Sequence, residues 1–600
     1  MDGAGIKRAL RIGAVGGIAV LYVCAVGMVG SFNDRNVVTG WLTLGDLVLW
    51  LPVVAAGFVA GGRPKRVPTP SPGAVVIDGV VAGVGSSVTA IVSISIVVWI
   101  GVEAVRGVLV AVSQDLIDIL TFHRSTTSGL LVYAIVSVVL AVVGAGLRLL
   151  PTLVRRALVG AFAAVVAMGL LQRIVPTAMS ELGLSSKWLY DPIEGGLTPI
   201  GAILTFVIAA AAIVAVDRYR RRERAEAPAD GEDTRADDAV FGSRRKPLVL
   251  LGAGIGLVIL AVLPQFVGSI VSDVLGFVGI GLLLALGLNI IVGNAGLLHL
   301  GFVVFYTVGA YATALLMGAS RVTALGLVPP VLPFSVPFWV AVPIVMALAA
   351  LVGVLIAAPT VRLRGDYLAI VTLGFGSMAL ILVQSDWLKT VLGGPQGLRG
   401  IPAPALFGIE MRTPQHFYYI ALVACVFAVF VSYRLTDSRI GRAWNAMRED
   451  EQVAEAMGIS VVRYKLLASA VGGALGGMAG ALFAAKIGSL TSQSFTVLVS
   501  ITALAVVILG GLGSIRGAIL GAFVLVGLPQ LLTEFEGYRL SIYGAALIGI
   551  MLFRPQGLLP NVRRARELQD EERAQDAWAK AAEDKAAAQA LVADVEGEPA

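Results

Sequence analysis

The sequence predicts an all-α integral membrane protein in which about ten C-terminal spans follow about six N-terminal ones. Three observations predict it. Of 600 residues, 57% are hydrophobic and only 14% are charged, against the roughly 25% usual for soluble domains. The mean hydropathy is +0.87. The apolar residues also gather into runs of spanning length, for which roughly 20 residues suffice. Together these exclude a soluble globular enzyme, a disordered chain and a fibrous protein.

The N-terminal runs fall near 12–30, 42–60, 78–101, 129–147, 157–171 and 199–216. Lys7, Arg8 and Arg11 precede the first, as in a signal peptide. That run is longer than a signal core and no small-x-small cleavage site follows, so it reads as a retained span. Residues 102–128, VRGVLVAVSQDLIDILTFHRS and its flanks, read as an amphipathic helix lying on the membrane surface.

Residues 217–246 form a charge-dense stretch without an apolar face, which reads as a flexible cytoplasmic linker. It separates a 1–216 membrane region from a second region over 247–560. The second holds runs near 247–264, 268–292, 300–317, 338–358, 367–385, 417–433, 465–486, 496–512, 516–531 and 541–554. Residues 386–416 are rich in Gly and Pro and read as turns. Residues 561–600 form a charged, Ala-rich cytoplasmic tail.

Basic clusters test the count. With the N-terminus inside, alternating spans bring Arg63, Lys65, Arg66, Arg148, Arg155, Arg156, Arg362, Arg364, Arg434, Arg439, Arg442, Arg448, Arg463, Lys465 and Arg554 to the same side. This follows the positive-inside rule and places both termini in the cytoplasm. The formal charge of +6 is accounted for in this way and implies no nucleic-acid partner. Cys24 and Cys425 lie far apart in apolar runs, so no disulfide framework is expected. His123, His299 and His416 have no metal-ligand spacing.

Chemistry is sparse. No G-x-x-x-x-G-K-[ST] occurs, so the chain has no P-loop of its own. Asp78 and Asp273 lie at span ends, and few ionisable groups lie deeper. That argues against a self-coupled carrier and against an intramembrane hydrolase with paired catalytic groups. Gly472, Gly476 and Gly480 recur every four residues, as do Gly513, Gly517 and Gly521; both rows read as close helix packing.

Two segments stand out. In 287–316, Asn289, Gly293, Asn294, Gly296, His299 and Gly301 interrupt an apolar stretch. Broken backbone at membrane depth lines a cavity or is buried; a plain hairpin between spans fits the residue types equally. In 433–466, Ala443, Met447, Val453, Ala454 and Met457 mark an apolar side at helical spacing. Glu449, Asp450, Glu451 and Glu455 mark an acidic side, and Gly458 ends the helix. Such a helix suits a partner's groove. A membrane-surface helix is the alternative, disfavoured by the acidic run because anionic lipid attracts basic faces.

These segments carry a resemblance. GLNIIVGNAGLLHLGFVVFYTVGAYATALL, APTVRLRGDYLAIVTLGFGSMALIL, SRIGRAWNAMREDEQVAEAMGISVVRYKLLASAVGGALGGMAGALFAAKIGSL, VILGGLGSIRGAILGAF and MLFRPQGLLP occur in order. Over residues 241–560 the chain resembles the permease subunits of ABC importers for branched-chain amino acids, and among them the LivM type. The resemblance implies a permease core of about ten spans with a cytoplasmic coupling region at 434–464. It implies a second, H-type permease, two ABC ATPase subunits and an extracytoplasmic solute-binding protein as partners. It implies a multi-pass protein of a prokaryotic cytoplasmic membrane, in contact with lipid, that is not itself an enzyme. No cofactor would be bound directly, ATP and Mg being used by the ATPases.

On this basis Arg442, Arg448, Glu449, Asp450, Glu451, Glu455, Ala456, Met457 and Gly458 are the expected ATPase-coupling residues. Asn289, Gly293, Asn294, Gly296, His299 and Gly301 are expected along the substrate path. Leucine, isoleucine and valine are the expected cargo, with urea or short-chain amides as the alternative. The 1–216 region lacks a second copy of the core motifs and reads as an accessory membrane extension.

Overall fold

The computed structural model describes residues 3–62, 72–225 apart from 108, 110, 173 and 182, 246–531 apart from 324–325, 329–333, 364 and 407, and then 544, 548 and 557–559. Arg63, Lys65, Arg66, Arg364 and Arg554, most of the 217–246 stretch and of the 541–554 span, and the 561–600 tail lie outside the described residues. The chain divides into two units, Met1–Leu257 and Val258–Ala600.

Among the described residues, ten helices are long and apolar enough to cross a membrane, and four shorter apolar helices accompany them. In the first unit, α1 (Gly3–Val26), α2 (Met28–Asn33), α3 (Leu44–Ala60) and α4 (Pro72–Ile100) precede α5 (Val102–Arg106) and α6 (Gln114–Leu120); α7 (Thr126–Gly146), α8 (Thr152–Leu170), α9 (Ile174–Glu181) and α10 (Pro199–Ala225) follow. The six expected N-terminal runs coincide with α1, α3, α4, α7, α8 and α10. Helix α1 packs on α3 and α4, and α7 packs on the same two helices from elsewhere. Glycines make these approaches possible: Gly57 and Gly144 lie directly against the Ala141 and Val54 carbonyls.

The surface helix expected over 102–128 does not form. Ser113 caps the short α6 by accepting a hydrogen bond from the Leu116 N–H at 3.2 Å. Leu116 and Leu120 are then buried with Val20, Leu49 and Tyr133. The apolar side that sequence assigns to lipid is covered by the unit's own helices.

The second unit begins within α11 (Lys246–Leu288), which is interrupted at Gly268 by a φ of 77°. A π-helix, Asn289–Asn294, continues it, and the chain then runs irregularly to α12 (Val303–Leu316). There follow α13 (Phe338–Thr360), α14 (Asp366–Gln384), α15 (Lys389–Leu392), α16 (Pro414–Thr436), α17 (Arg439–Glu449), α18 (Glu451–Ala456), α19 (Val461–Ile487), α20 (Val497–Gly510) and α21 (Ile515–Ala522). A second π-helix, Phe523–Gly527, extends α21. Short strands outside the spans, β1 (Ser320–Thr323), β2 (Gly326–Val328), β3 (Leu398–Arg399) and β4 (Ser489–Leu490), form a four-stranded sheet in the order β2, β1, β3, β4. The 386–416 stretch is turns and short strands, as its composition indicates.

Helix α19 is the centre of this unit. Its glycines form two rows. Gly476 faces Phe302 and Phe305, and Gly480 meets the Tyr306 carbonyl of α12. Gly473 and Gly477 face Ala349 of α13. Without side chains at these positions the backbones come close enough for dispersion contacts along most of their length, which drives helix association where solvent is as apolar as the helix. Gly472 lies against Ile291 and the Gly287 carbonyl, so the same row also seats the π-helix. Gly517 and Gly521 likewise pack α21 on Gly510 and Val506 of α20. Gly513 departs from the expected row. It lies in the loop before α21 at a φ of +76°, where its role is a turn.

Candidate coupling junction and cavity

The segment expected to couple, 434–464, holds two short helices rather than one. Ser438 caps α17, its hydroxyl accepting from the Ile440 and Gly441 N–H groups at 3.1 and 3.3 Å. Asp450 adopts an extended conformation (φ −153°, ψ 115°) and caps α18 by accepting from Gln452 and Val453 at 2.7 and 3.0 Å. A short acceptor side chain at such a position competes with continued helix. Gly458, at φ +84°, ends α18.

This break reorients the two halves. Gly441, Ala443, Trp444 and Met447 of α17 are buried. Trp444 is fully buried and donates its indole N–H to the Tyr464 carbonyl at 2.9 Å. The apolar side expected to run on through α18 does not do so: Ala454 is buried, but Val453 and Met457 are 58% and 79% exposed. The acidic side is divided too. Glu449, Asp450 and Glu455 are exposed, as are Arg442, Ala456 and Gly458. Glu451 turns inward and pairs with the buried Lys465 at 2.5 Å. Lys465 also donates to the Val361 carbonyl at 3.3 Å. The outward surface of α18 is thus two apolar side chains beside carboxylates.

Arg448 leaves the outward set. Its guanidinium donates to the Gly293 carbonyl in the π-helix at 2.5 Å, and its stem lies over Gly296. Gly296 sits at φ +74°, where neither backbone strain nor a Cβ obstructs that approach. Asn289 and Asn294 are buried. The Asn289 side-chain oxygen accepts from the Gly513 N–H at 2.8 Å, and Asn294 donates to the Thr436 hydroxyl at 3.2 Å. The π-helix is therefore bound at once to α17, the α20–α21 loop and the end of α16. π-Turns are frequent at functional sites.

Beyond the π-helix, the Leu300 N–H donates to the Thr372 hydroxyl at 3.1 Å, and the Val303 N–H donates to the Ser500 hydroxyl at 2.8 Å. These side chains satisfy donors that the break exposes, as burial requires. Gly301 has no room for a side chain against the Thr372 carbonyl. His299 is buried among Phe302 and Phe305.

A cavity of about 920 Å³ opens elsewhere in the unit, between α11 beyond its Gly268 break, α20 and the second π-helix. Phe277, Leu284, Phe483 and Val506 supply apolar wall, and Ser269, Asp273, Gln493 and Thr496 supply polar groups. None of the six residues expected on the substrate path lines it. Gly293 and Gly296 meet Arg448 of α17 instead, while Asn289, Asn294, His299 and Gly301 meet other parts of the unit. At the cavity edge Lys486 donates to the Asp273 carboxylate at 2.6 Å and to the Asp273 carbonyl at 3.2 Å. Its ammonium also lies 4.3 Å from the Phe277 ring centroid.

Sequence reasoning passes over Trp444, Lys465, Thr436, Asp273 and Lys486. Lys465 reads as one more basic residue of a topology count, and Asp273 as a wet span end. Only the fold joins each to its partner.

Residues 270–554 match the family described as the branched-chain amino acid transport system permease component. The chain is 39% identical over 349 residues to the high-affinity branched-chain amino acid transport system permease protein LivM of Escherichia coli, covering 54% of this chain and 78% of that protein. The LivM of Salmonella typhimurium gives the same identity and coverage. A probable branched-chain amino acid transport permease protein LivM of Methanocaldococcus jannaschii is 25% identical over 327 residues, covering 49% of this chain and 94% of that protein. No solved structure matches.

Proposed function

Because the chain belongs to the family of branched-chain amino acid transport permeases, we propose that it is the LivM-type membrane subunit of an ABC importer for leucine, isoleucine, valine and related apolar amino acids. As a permease of this family it is a multi-pass membrane component that works with ATPase subunits and a substrate-binding protein. In this reading the assembly also holds a second, H-type permease and two ATPases, which supply ATP hydrolysis in trans. In this reading both termini are cytoplasmic, on the side to which the positive-inside rule assigns the basic clusters.

The observation that carries the reading is the junction. The exposed surface of α18 presents Val453, Met457 and Glu455, a small apolar knob with charge beside it, suited to a partner groove. Three residues before α18 begins, Arg448 holds the π-helix. A movement imposed on α17–α18 by a closing ATPase dimer would be transmitted to Gly293, and through Asn289 and Gly513 to the loop joining α20 and α21, and α20 borders the cavity. An alternating-access equilibrium shifts only through such contacts that differ between its states.

Uptake of labelled leucine by cells with and without the gene, with urea measured alongside, tests the proposal. Loss of leucine uptake restored by the gene supports it; loss of urea uptake alone moves the cargo to amides and keeps the mechanism. Residues 1–216 are proposed to be an accessory membrane domain that the 247–560 core does not need for assembly. A chain lacking residues 1–240 should still copurify with the other subunits, and failure to assemble would make the extension integral.

A further inference from the structure

The cavity beside α11 contains the chemistry that the coupling junction lacks. Asp273 is 46% exposed at its side chain, whereas its partner Lys486 is 6% exposed. Lys486 is fully engaged on the protein side: the Asp273 carboxylate, the Asp273 carbonyl, and the faces of Phe277 and Phe417 at 4.3 and 4.9 Å. Its contact with the carboxylate is through one oxygen. An ionised carboxylate has about four acceptor sites, so the exposed side of Asp273 keeps acceptor capacity facing the cavity it lines. Lys486 holds that carboxylate in place and keeps the pair neutral overall.

We infer that Asp273 binds the α-ammonium group of the amino acid in transit, with the apolar side chain laid along Phe277, Ile280 and Leu284 and Lys486 acting as the positioning residue. This rests on the proposed amino-acid cargo and deepens it. The pairing of a carboxylate with an apolar wall selects a primary ammonium attached to a short aliphatic group. Urea offers no charge to Asp273 and no aliphatic body to the wall. A dicationic substrate would bring a second charge toward Lys486. The cavity volume, about 920 Å³, falls within the roughly 300–1,000 Å³ of small-molecule sites. It is too roomy to clamp one amino acid, as suits a site that must also release its cargo.

The test uses the complete purified complex without its binding protein and reads weak binding by saturation-transfer NMR. The probes are leucine, isoamylamine, isocaproate and urea. Wild-type complex is expected to bind leucine and isoamylamine, which carry the ammonium, and not isocaproate or urea. Asp273→Asn should weaken leucine by about tenfold or more, the loss typical of a hydrogen bond to a charged group. The exchanged variant, Asp273→Lys with Lys486→Asp, preserves an ion pair for folding but presents the opposite charge. It should lose isoamylamine and gain isocaproate. Lys486→Arg should retain the wild-type preference, since it keeps the positioning charge.

No binding of leucine by the wild type at any attainable concentration, equal binding of isocaproate, or an exchanged variant with wild-type preference would each overturn the inference. Leucine import by wild-type complex in vesicles with its binding protein, measured in parallel, separates the two ideas. Import with unchanged binding in Asp273→Asn defeats the site alone; absence of import defeats the cargo.

Discussion

Arg448→Met removes the guanidinium and keeps a stem to lie over Gly296. The lost interaction is a hydrogen bond from a charged donor to a buried carbonyl, worth about 1.5–3 kcal/mol. If the bond exists in only one of the two transport states, its loss changes their balance by about 10- to 150-fold, at 1.4 kcal/mol per factor of ten. The assay is leucine transported per ATP hydrolysed by complete complexes in proteoliposomes. ATP hydrolysis should persist, because α18 and its exposed knob are untouched. Transport per ATP should fall by about tenfold or more. Arg448→Lys should fall between, since an ammonium is a point charge without the planar fork. An unchanged transport ratio in Arg448→Met, with the complex intact, would refute transmission through Gly293.

Other substitutions separate docking from folding. Glu451→Lys would set two ammonium groups together beside Val361, and breaking a buried pair costs about 3–5 kcal/mol; it should lower the melting temperature in detergent, and adding Lys465→Glu should restore it. Uncoupling seen in Glu451→Lys together with Glu455→Lys would therefore need Glu455→Lys alone as its control. Met457→Glu alters a side chain that is 79% exposed, so it should leave melting unchanged and reduce ATPase copurification. Gly480→Leu has no space against the Tyr306 carbonyl; it should destabilise by about 1–3 kcal/mol or more through overpacking, visible as lost thermal stability or lost expression.

The spans were legible because apolar length is a property of neighbouring residues. Each expected run from 12–30 to 516–531 overlaps a helix, since twenty apolar residues in lipid have few alternatives to one. The break after Leu288 was legible for a related reason: Asn289, Gly293 and Asn294 disrupt an otherwise uniform stretch. What was hidden depends on contacts distant in sequence. Asp450 has the same composition as a residue on an acidic helix face, and only its cap geometry shows that it ends α17 and starts α18. Glu451 reads as surface charge until Lys465 is placed beneath it. Asp273 and Lys486 are 213 residues apart, beyond any periodicity. Residues 102–128 were misread because an apolar side at helical spacing does not say whether lipid or protein covers it.

The two glycine rows of α19 have a mechanical consequence. Each notch accepts one particular group of a neighbouring helix: Phe302 and Phe305 at Gly476, the Tyr306 carbonyl at Gly480, Ala349 at Gly473 and Gly477. Axial slip by one residue would bring Phe302 and Phe305 onto Leu475, or Ala349 onto Met478, both of which are already buried. Close-packed interiors do not deform continuously to absorb such a shift. Helices α12, α13 and α19 are consequently interlocked and move as one block. Whatever rearrangement opens and closes the route for cargo must be performed against that block, which lends Tyr306 and Phe483 to the cavity wall, by the other walls: α11 beyond Gly268, α20 and the second π-helix.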